Sequence, residues 1–395
     1  MTEFAEKLCR ITGIGQSRVG RPSPKAPIEL TLDAALAAIA DAGLKPEDID
    51  GIANYPMKST EGGGISPVGV GEAMFALGID CTWLGSGTHE GPGHMSAIFG
   101  AVMAVASGIC RHVLVFRTVA QAQARLVSRE STLLTGHQAR VDGNNAWTVP
   151  FGAVSPANMW ALYAEAYFAR YGYGPEQLGW IAVNGRRNAA RNPNAIYTKP
   201  ITIADYLASR MISTPLRLYD CDTHIDGATA LVISHRDTAK DQPNPPIHIE
   251  AIGMGLGGLG QGIHTGDFTT LPGAEKAGAM LWSRTDFTPA DVDNAQIYDG
   301  FSIHTVLWGE AIRLWGKGEA LGFIDGGERI ALTGELPINT GGGQLSGGRF
   351  HGYGHTFEAC TQLWGRGGER QVKGARLSAV CNGGYGYGAL LLRRD

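Results

Sequence analysis

A segment that occurs twice constrains this chain more than any other feature. Leu44–Tyr55 reads LKPEDIDGIANY and Phe287–Tyr298 reads FTPADVDNAQIY, so Pro46, Asp48, Asp50 and Tyr55 recur as Pro289, Asp291, Asp293 and Tyr298, 243 residues further on. Self-similarity at that distance implies one folding unit present in two copies. Each copy follows a helix-like stretch (Leu32–Ala42, Ala274–Ser283) and passes through a Pro-started turn into a short apolar run of strand character. A second correspondence follows. Pro92–Gly108 reads as an apolar helix before the strand His112–Phe116, and Gly354–Trp364 as a helix before the strand Ala375–Val380. Nearly continuous apolar strands alternating with helices imply sheets covered on both faces. The polar, proline-rich run Asp237–Pro246 suits a join, which sets an N-terminal half at 1–240 and a C-terminal half at 241–395. The first half carries a long insertion at about 118–212, rich in Arg, Asn and Tyr, of the kind that tends to cover an active site.

Composition narrows the function. With 44% apolar and 18% charged residues, most of the 395-residue chain should fold. A net charge of −4 and the lack of a Lys/Arg run argue against nucleic acid as a partner. The longest apolar stretch, Met95–Cys110, is shorter than the ~20 residues a bilayer requires. It also contains Ser96, Gly100, Ser107 and Gly108, and reads as a buried helix. Glu3, Glu6, Lys7 and Arg10 interrupt any export pattern, so a cytoplasmic protein is expected. Six cysteines without a C-x-x-C pair give neither a zinc ribbon nor a redox motif, and no metal or resident cofactor is expected. Of the 57 glycines, those clustered at 341–343, 347–348 and 383–384 mark places where backbone is expected to come close to a ligand.

The C-terminal part carries GGGQLSGGRF (Gly341–Phe350), a helix to Trp364, GERQVKGARLSAV (Gly368–Val380) and CNGGYGYGA (Cys381–Ala389), and CDTHIDGATALVIS spans Cys221–Ser234. In order and spacing these motifs resemble the thiolase superfamily, in its lipid-transfer and sterol-carrier branch, over essentially the whole chain. The resemblance implies an α/β thiolase fold, five-layered αβαβα from two pseudo-repeated halves with a loop-domain insertion. It also implies a dimer, and an acyl-CoA as substrate.

The chain departs from that family where its chemistry resides. Thiolases place a nucleophilic cysteine at the N-terminus of the central helix, where the helix end favours the thiolate. Here Gly91 stands at that position, and neighbours such as His89 and His94 offer no thiol. The family's Gly-His-Pro loop corresponds to Gly348-Arg349-Phe350, and its second loop to Tyr298-Asp299-Gly300-Phe301. Two loop tyrosines remain, Tyr298 and Tyr353, the latter in HGYGH (His351–His355). This pattern resembles the thiolase-like aldolases of steroid side-chain degradation, in which two tyrosines are the proposed acid/base pair and no acyl-cysteine forms.

A retro-aldol step needs a base for a β-hydroxyl, donors for the thioester oxygen and an acid for the enolate carbon. A phenol of reference pKa about 10 acts as base only if neighbours lower that value. Arg349, His351 and His355 are the nearby candidates, with Asp299 and Cys381 as further support. Gly91, His89, His94, Gly342, Gly343 and Gly384 form the expected substrate and oxyanion loop, and Arg125, Arg129, Arg186, Arg187 and Arg191 are the cations available to coenzyme A phosphates. The reading is a carbon–carbon lyase cleaving a β-hydroxyacyl-CoA, of steroid or bile-acid side-chain type, to a ketone and a short acyl-CoA. The resemblance further implies a homodimer acting with a small OB-fold partner of the DUF35 type, which would carry any zinc. The rival readings are an acyltransferase or C–C bond-forming subunit of a thiolase–DUF35 complex, and a non-catalytic acyl-CoA or lipid carrier.

Overall fold

The computed structural model describes residues 3–59, 63–87, 95–127, 146–257, 266–384 and 386–395. The N-terminal part runs β1 (Cys9–Gln16), α1 (Pro27–Asp41), β2 (Gly51–Asn54), α2 (Val70–Leu77), β3 (Trp83–Ser86), α3 (Ser96–Ala106) and β4 (His112–Ala120). The insertion holds α4 (Gln121–Val127), α5 (Pro156–Tyr171), α6 (Pro175–Ala189), α7 (Ile203–Ala208) and a small hairpin of β5 (Met211–Ser213) and β6 (Leu216–Arg217). The chain then returns through β7 (Asp226–His235), α8 (Arg236–Ala239) and β8 (Ile247–Gly255). It ends with α9 (Pro272–Trp282), β9 (Asn294–Ile297), α10 (Ser302–Ala311), α11 (Ala320–Ile324), α12 (Tyr353–Leu363), β10 (Leu377–Asn382) and β11 (Tyr387–Arg393).

Strand order shows why the repeat exists. The first half of the sheet is ordered β3-β2-β4-β7-β1 and the second β8-β11-β10-β9, with Ile338 bridging Ala295 in parallel beyond β9. Read outward from the seam, each half places its first strand innermost and its repeated strand fourth. The halves join where β1 meets β8 antiparallel, Arg10 opposite His248 and Ile11 opposite Ile247. The repeated aspartates perform one task twice. Asp50 accepts the backbone N–H groups of Arg111 and His112 at 2.8 and 2.9 Å, and Asp293 accepts those of Arg376 and Leu377 at 2.7 and 2.8 Å. In both halves a carboxylate at the strand entrance ties the short strand to its parallel neighbour.

The layers follow from which faces are apolar. One core lies between the halves, where Ile98, Val102 and Val105 of α3 and Tyr353, Ala359 and Leu363 of α12 pack with strands of both halves. A second core buries Leu30, Ala34 and Ala38 of α1 against Leu114, Phe116 and Val232, and a third buries Ala277 and Leu281 of α9 and Val306 of α10 against β9 and β11. The result is the expected five-layered αβαβα arrangement, with α3 and α12 in the central layer. Residues of β4 are buried along its whole length, as a strand covered on both faces requires. Helix α5 starts and stops on local signals: Ser155 accepts the Ala157 N–H, Pro156 fills the first turn, and Gly172 ends it at φ 74°. Among the described residues no helix is long and apolar enough to cross a membrane, and the stretch read as a buried helix is α3.

Candidate active site

Four segments converge at the C-terminal end of the β9–β10 pair. Strand β9 delivers Tyr298 and Asp299, whose position is fixed where the Tyr298 N–H donates to the Cys381 carbonyl at 3.0 Å. The glycine loop 341–352 supplies Gln344, Arg349 and His351, and Tyr353 is the first residue of α12. The segment before β7 brings Asp222 and His224, and β4 brings Arg117.

Asp299 organises the glycine loop. Its carboxylate accepts the backbone N–H groups of Gln344 and Leu345 at 2.8 and 3.4 Å, and the His355 Nε2 lies 3.0 Å away with both side chains 2% exposed. Gly343 sits at φ 59°, and a Cβ there would come within 2.0 Å of the Asp299 carboxylate, so only glycine permits this approach. Gly300 serves the tyrosine in the same way. A Cβ at residue 300 would lie 2.9 Å from the Tyr298 hydroxyl and 3.0 Å from its ring, so the phenol occupies the space a side chain there would need.

Tyr298 and Tyr353 are both buried, 6% and 1% exposed. The Tyr353 ring stacks on Tyr55, the repeat partner of Tyr298, with centroids 6.2 Å apart and planes 14° apart. One buried cation unites the group: Arg117 lies in electrostatic reach of Tyr55, Tyr353 and Tyr298, and burial pushes its guanidinium down to about 10. Its Nη2 is 2.6 Å from His351 Nδ1, so that imidazole nitrogen is an acceptor. The Tyr353 hydroxyl is buried and has no hydrogen-bond partner among the described residues.

The neighbours do not lower the phenols as the sequence had suggested. Burial pushes Tyr298 up, with Asp222 adding to the rise and Arg349 and a hydrogen bond from Gln344 only partly opposing it. Burial likewise pushes Tyr353 up against the smaller pull of Arg117. The physical reason is that a phenolate must shed its hydration here, which the nearby guanidinium groups do not offset. Both phenols therefore stand neutral at physiological pH. Cys381 is also fully buried, and burial raises its thiol, leaving it protonated.

Asp222 and Arg349 form the second charged centre. The Arg349 Nε lies 3.1 Å from Asp222 Oδ2, and its Nη1 lies 3.0 Å from His224 Nε2. Desolvation raises the Asp222 carboxyl to about 7, Arg349 opposing and Asp299 adding. Burial, then Arg349, hold His224 down at about 3, so it is neutral. Gln344 stands between these groups: its Nε2 is 3.5 Å from Asp222, and its Oε1 accepts the Gly352 N–H at 3.0 Å.

Of the residues named from sequence, Tyr298, Tyr353, Asp299, His351, His355, Arg349 and Cys381 come together around the glycine loop. Gly384 borders the site through Trp160 and His304, a Cβ there lying 3.3 and 3.5 Å from them. Gly342 faces Ala189 of α6. Gly91, His89, His94 and Arg129 lie outside the described residues. Arg187 is tied into the scaffold through Asn184 and the Gly327 carbonyl, whereas Arg186 stacks on Tyr197 and Tyr219. A small cleft behind the glycine loop includes Gly343 and His355 in its lining but neither tyrosine. Sequence reasoning missed Arg117, Gln344, Asp222 and His224. A buried arginine within the apolar strand HVLVFRTVA was the one legible signal, since a charge in a covered strand requires partners.

Comparison with known proteins fits this geometry. Residues 261–390 match the family model described as thiolase C-terminal domain-like. The chain is 35% identical over 361 residues to the 17-hydroxy-3-oxo-4-pregnene-20-carboxyl-CoA lyase of Mycobacterium tuberculosis, covering 90% of this chain and 91% of that protein. The chain belongs to the thiolase-fold aldolases. It is 33% identical to the steroid side-chain-cleaving aldolase of Thermomonospora curvata, over 90% of each chain. Among solved structures it superposes on an Ltp2-ChsH2(DUF35) aldolase with a TM-score of 0.87 at 31% identity, covering 98% of both chains. Human mitochondrial 3-ketoacyl-CoA thiolase, at 14% identity and a TM-score of 0.68, shares the fold. This aldolase is accordingly a carbon–carbon lyase on a thiolase scaffold.

Proposed function

We propose that this aldolase cleaves a β-hydroxyacyl-CoA, of steroid or bile-acid side-chain type, by a retro-aldol step that yields a ketone and a short acyl-CoA. The observation that carries the reading is the pair of buried neutral phenols, Tyr298 and Tyr353, grouped around Arg117 with the nearby Cys381 thiol held protonated. Such a site suits proton transfer and not acyl transfer through a thiolate. In this reading Tyr298 takes the proton of the substrate hydroxyl as the C–C bond breaks. Tyr353, a buried hydroxyl with its hydrogen unengaged, delivers a proton to the enolate carbon.

We further propose that the chain acts as a homodimer with a small OB-fold partner of the DUF35 type. Support for the partner comes from the similar solved aldolase, Ltp2-ChsH2(DUF35), whose name includes a DUF35 component. The test is to incubate the chain, alone and with a DUF35 protein, with a 17-hydroxy-steroid C22-CoA thioester and to follow products by mass spectrometry. The reading expects a 17-ketosteroid and propionyl-CoA, with Tyr298→Phe lowering turnover by ~10²–10⁴-fold. Label transferred to protein or to an acceptor would show an acyltransferase, and binding without turnover a carrier.

A further inference from the structure

Both tyrosines enter the reaction carrying their protons, so a hydroxyl proton taken by Tyr298 must displace Tyr298's own. The site therefore needs an anion with spare acceptor capacity next to that phenol. Two buried carboxylates are present. Asp299 is committed: it holds two backbone N–H groups of the glycine loop and faces His355. Asp222 is not. Its own backbone N–H donates to the Gly300 carbonyl at 3.2 Å, which pins the residue beside the Tyr298 loop. Its carboxylate meets Arg349 Nε at 3.1 Å and the Gln344 amide only at 3.5 Å. Gln344, oriented by the Gly352 N–H on its oxygen, turns its amino group toward both Tyr298 and Asp222.

We infer that Asp222 is the proton acceptor behind Tyr298, and that Arg349 and Gln344 hold its carboxylate in place for that role. This rests on the lyase reading above. The step balances as follows. The substrate O–H bond breaks and its electron pair becomes the second bond of the ketone C=O. The Cα–Cβ bond pair passes to the thioester as its enolate. The hydroxyl proton moves to the Tyr298 oxygen while the Tyr298 proton moves to the Asp222 carboxylate. The enolate carbon then takes the Tyr353 proton, and the proton on Asp222 returns through solvent to reset Tyr353.

The groups facing Asp222 come from three elements. Arg349 and Gln344 lie on the glycine loop, Tyr298 and Asp299 follow β9, and neutral His224 lies on its own segment, with Arg125 and Arg21 acting on His224 from beyond. Of these, Arg349 favours the anion and Asp299 opposes it. Since Asp222 must be ionised to accept a proton, activity should rise with pH through the region near 7.

The experiment is a pH–rate profile of kcat and kcat/KM for wild type, Asp222→Asn and Arg349→Met on the 17-hydroxy-steroid C22-CoA thioester, with a DUF35 partner present. Wild type should lose activity below about 7. Asp222→Asn should lose ~10²-fold or more in kcat with KM little changed, and its residual rate should lack that acidic limb. Arg349→Met should move the limb to higher pH, a shift that a merely structural role would not produce and that decides the matter if Asp222→Asn does not fold. A wild type that cleaves, beside an Asp222→Asn variant with full rate or an unchanged limb, overturns the role of Asp222 and leaves the lyase reading standing. A wild type that does not cleave removes both.

Discussion

Replacing Tyr353 by phenylalanine separates catalysis from stability in one substitution. The ring is 1% exposed and stacked on Tyr55, so Phe occupies the same volume and keeps the stack. Only the hydroxyl is lost, and that hydroxyl is buried without a partner among the described residues. Leaving such a group unsatisfied costs a folded protein about 1–3 kcal/mol, so its removal should stabilise the variant by about 1–2 kcal/mol. With an unfolding entropy of roughly 2.1 cal/mol/K per residue, the whole chain changes by about 0.8 kcal/mol/K, and the expected rise in Tm is about 1–2 °C. Turnover should move the other way. A phenol that delivers the proton to carbon contributes ~10²–10⁴-fold, about 3–5 kcal/mol of barrier. Differential scanning calorimetry and the thioester cleavage assay on the same preparation read the two effects. A variant that melts several degrees lower while turning over normally would refute the reasoning, because it would show the hydroxyl to be a structural hydrogen-bonding group and not a reserved proton donor.

Three further outcomes follow from packing and charge. Gly352 sits at φ 85°, and a Cβ there would come within 1.6 Å of Asn382 Nδ2, which holds the His351 carbonyl. Gly352→Ala should therefore cost about 2–4 kcal/mol in a urea titration and lower turnover as well, by displacing the residues before Tyr353. Glu358 meets Arg370 Nε at 3.1 Å with side chains 6% and 11% exposed, and also accepts from Thr340 and Gln362. Glu358→Ala leaves that guanidinium buried without its anion and should destabilise by about 3–5 kcal/mol in the same titration. Asp222 titrates near 7 in the folded state against about 3.9 in the unfolded chain. Between those values the folded protein holds a proton that the unfolded chain lacks, so this group's contribution to stability declines as pH rises through the interval. Melting temperatures at pH 5 and pH 8 should thus fall further in wild type than in Asp222→Asn, and equal falls would contradict the raised carboxyl.

Much of this protein was legible in its sequence. The doubled Pro-x-Asp-x-Asp segment revealed two halves because Asp48 and Asp291 each cap the turn that begins three residues earlier, a local task that leaves a fixed spacing, while Asp50 and Asp293 each tie a strand entrance to its parallel neighbour. Tyr298 and Tyr353 were visible by their places in family-like loops. Their protonation was not. It depends on how much water the surrounding layers exclude, and burial outweighs the flanking charges that sequence places nearby. Arg117, Asp222 and His224 escaped for a related reason: they reach the site from β4 and from the segment before β7, separated from the tyrosine loops along the chain by more than any spacing rule spans, whereas Gln344 lies within the glycine loop and is marked out only by the partners its amide meets. The sequence determined the repeated unit, its strand and helix order, and the replacement of the family's His by Arg349. Only the tertiary structure decided which cation faces the phenols and which carboxylate keeps acceptor capacity. Desolvation and charge pairing arise from contacts between segments, and those exist only once the layers have closed.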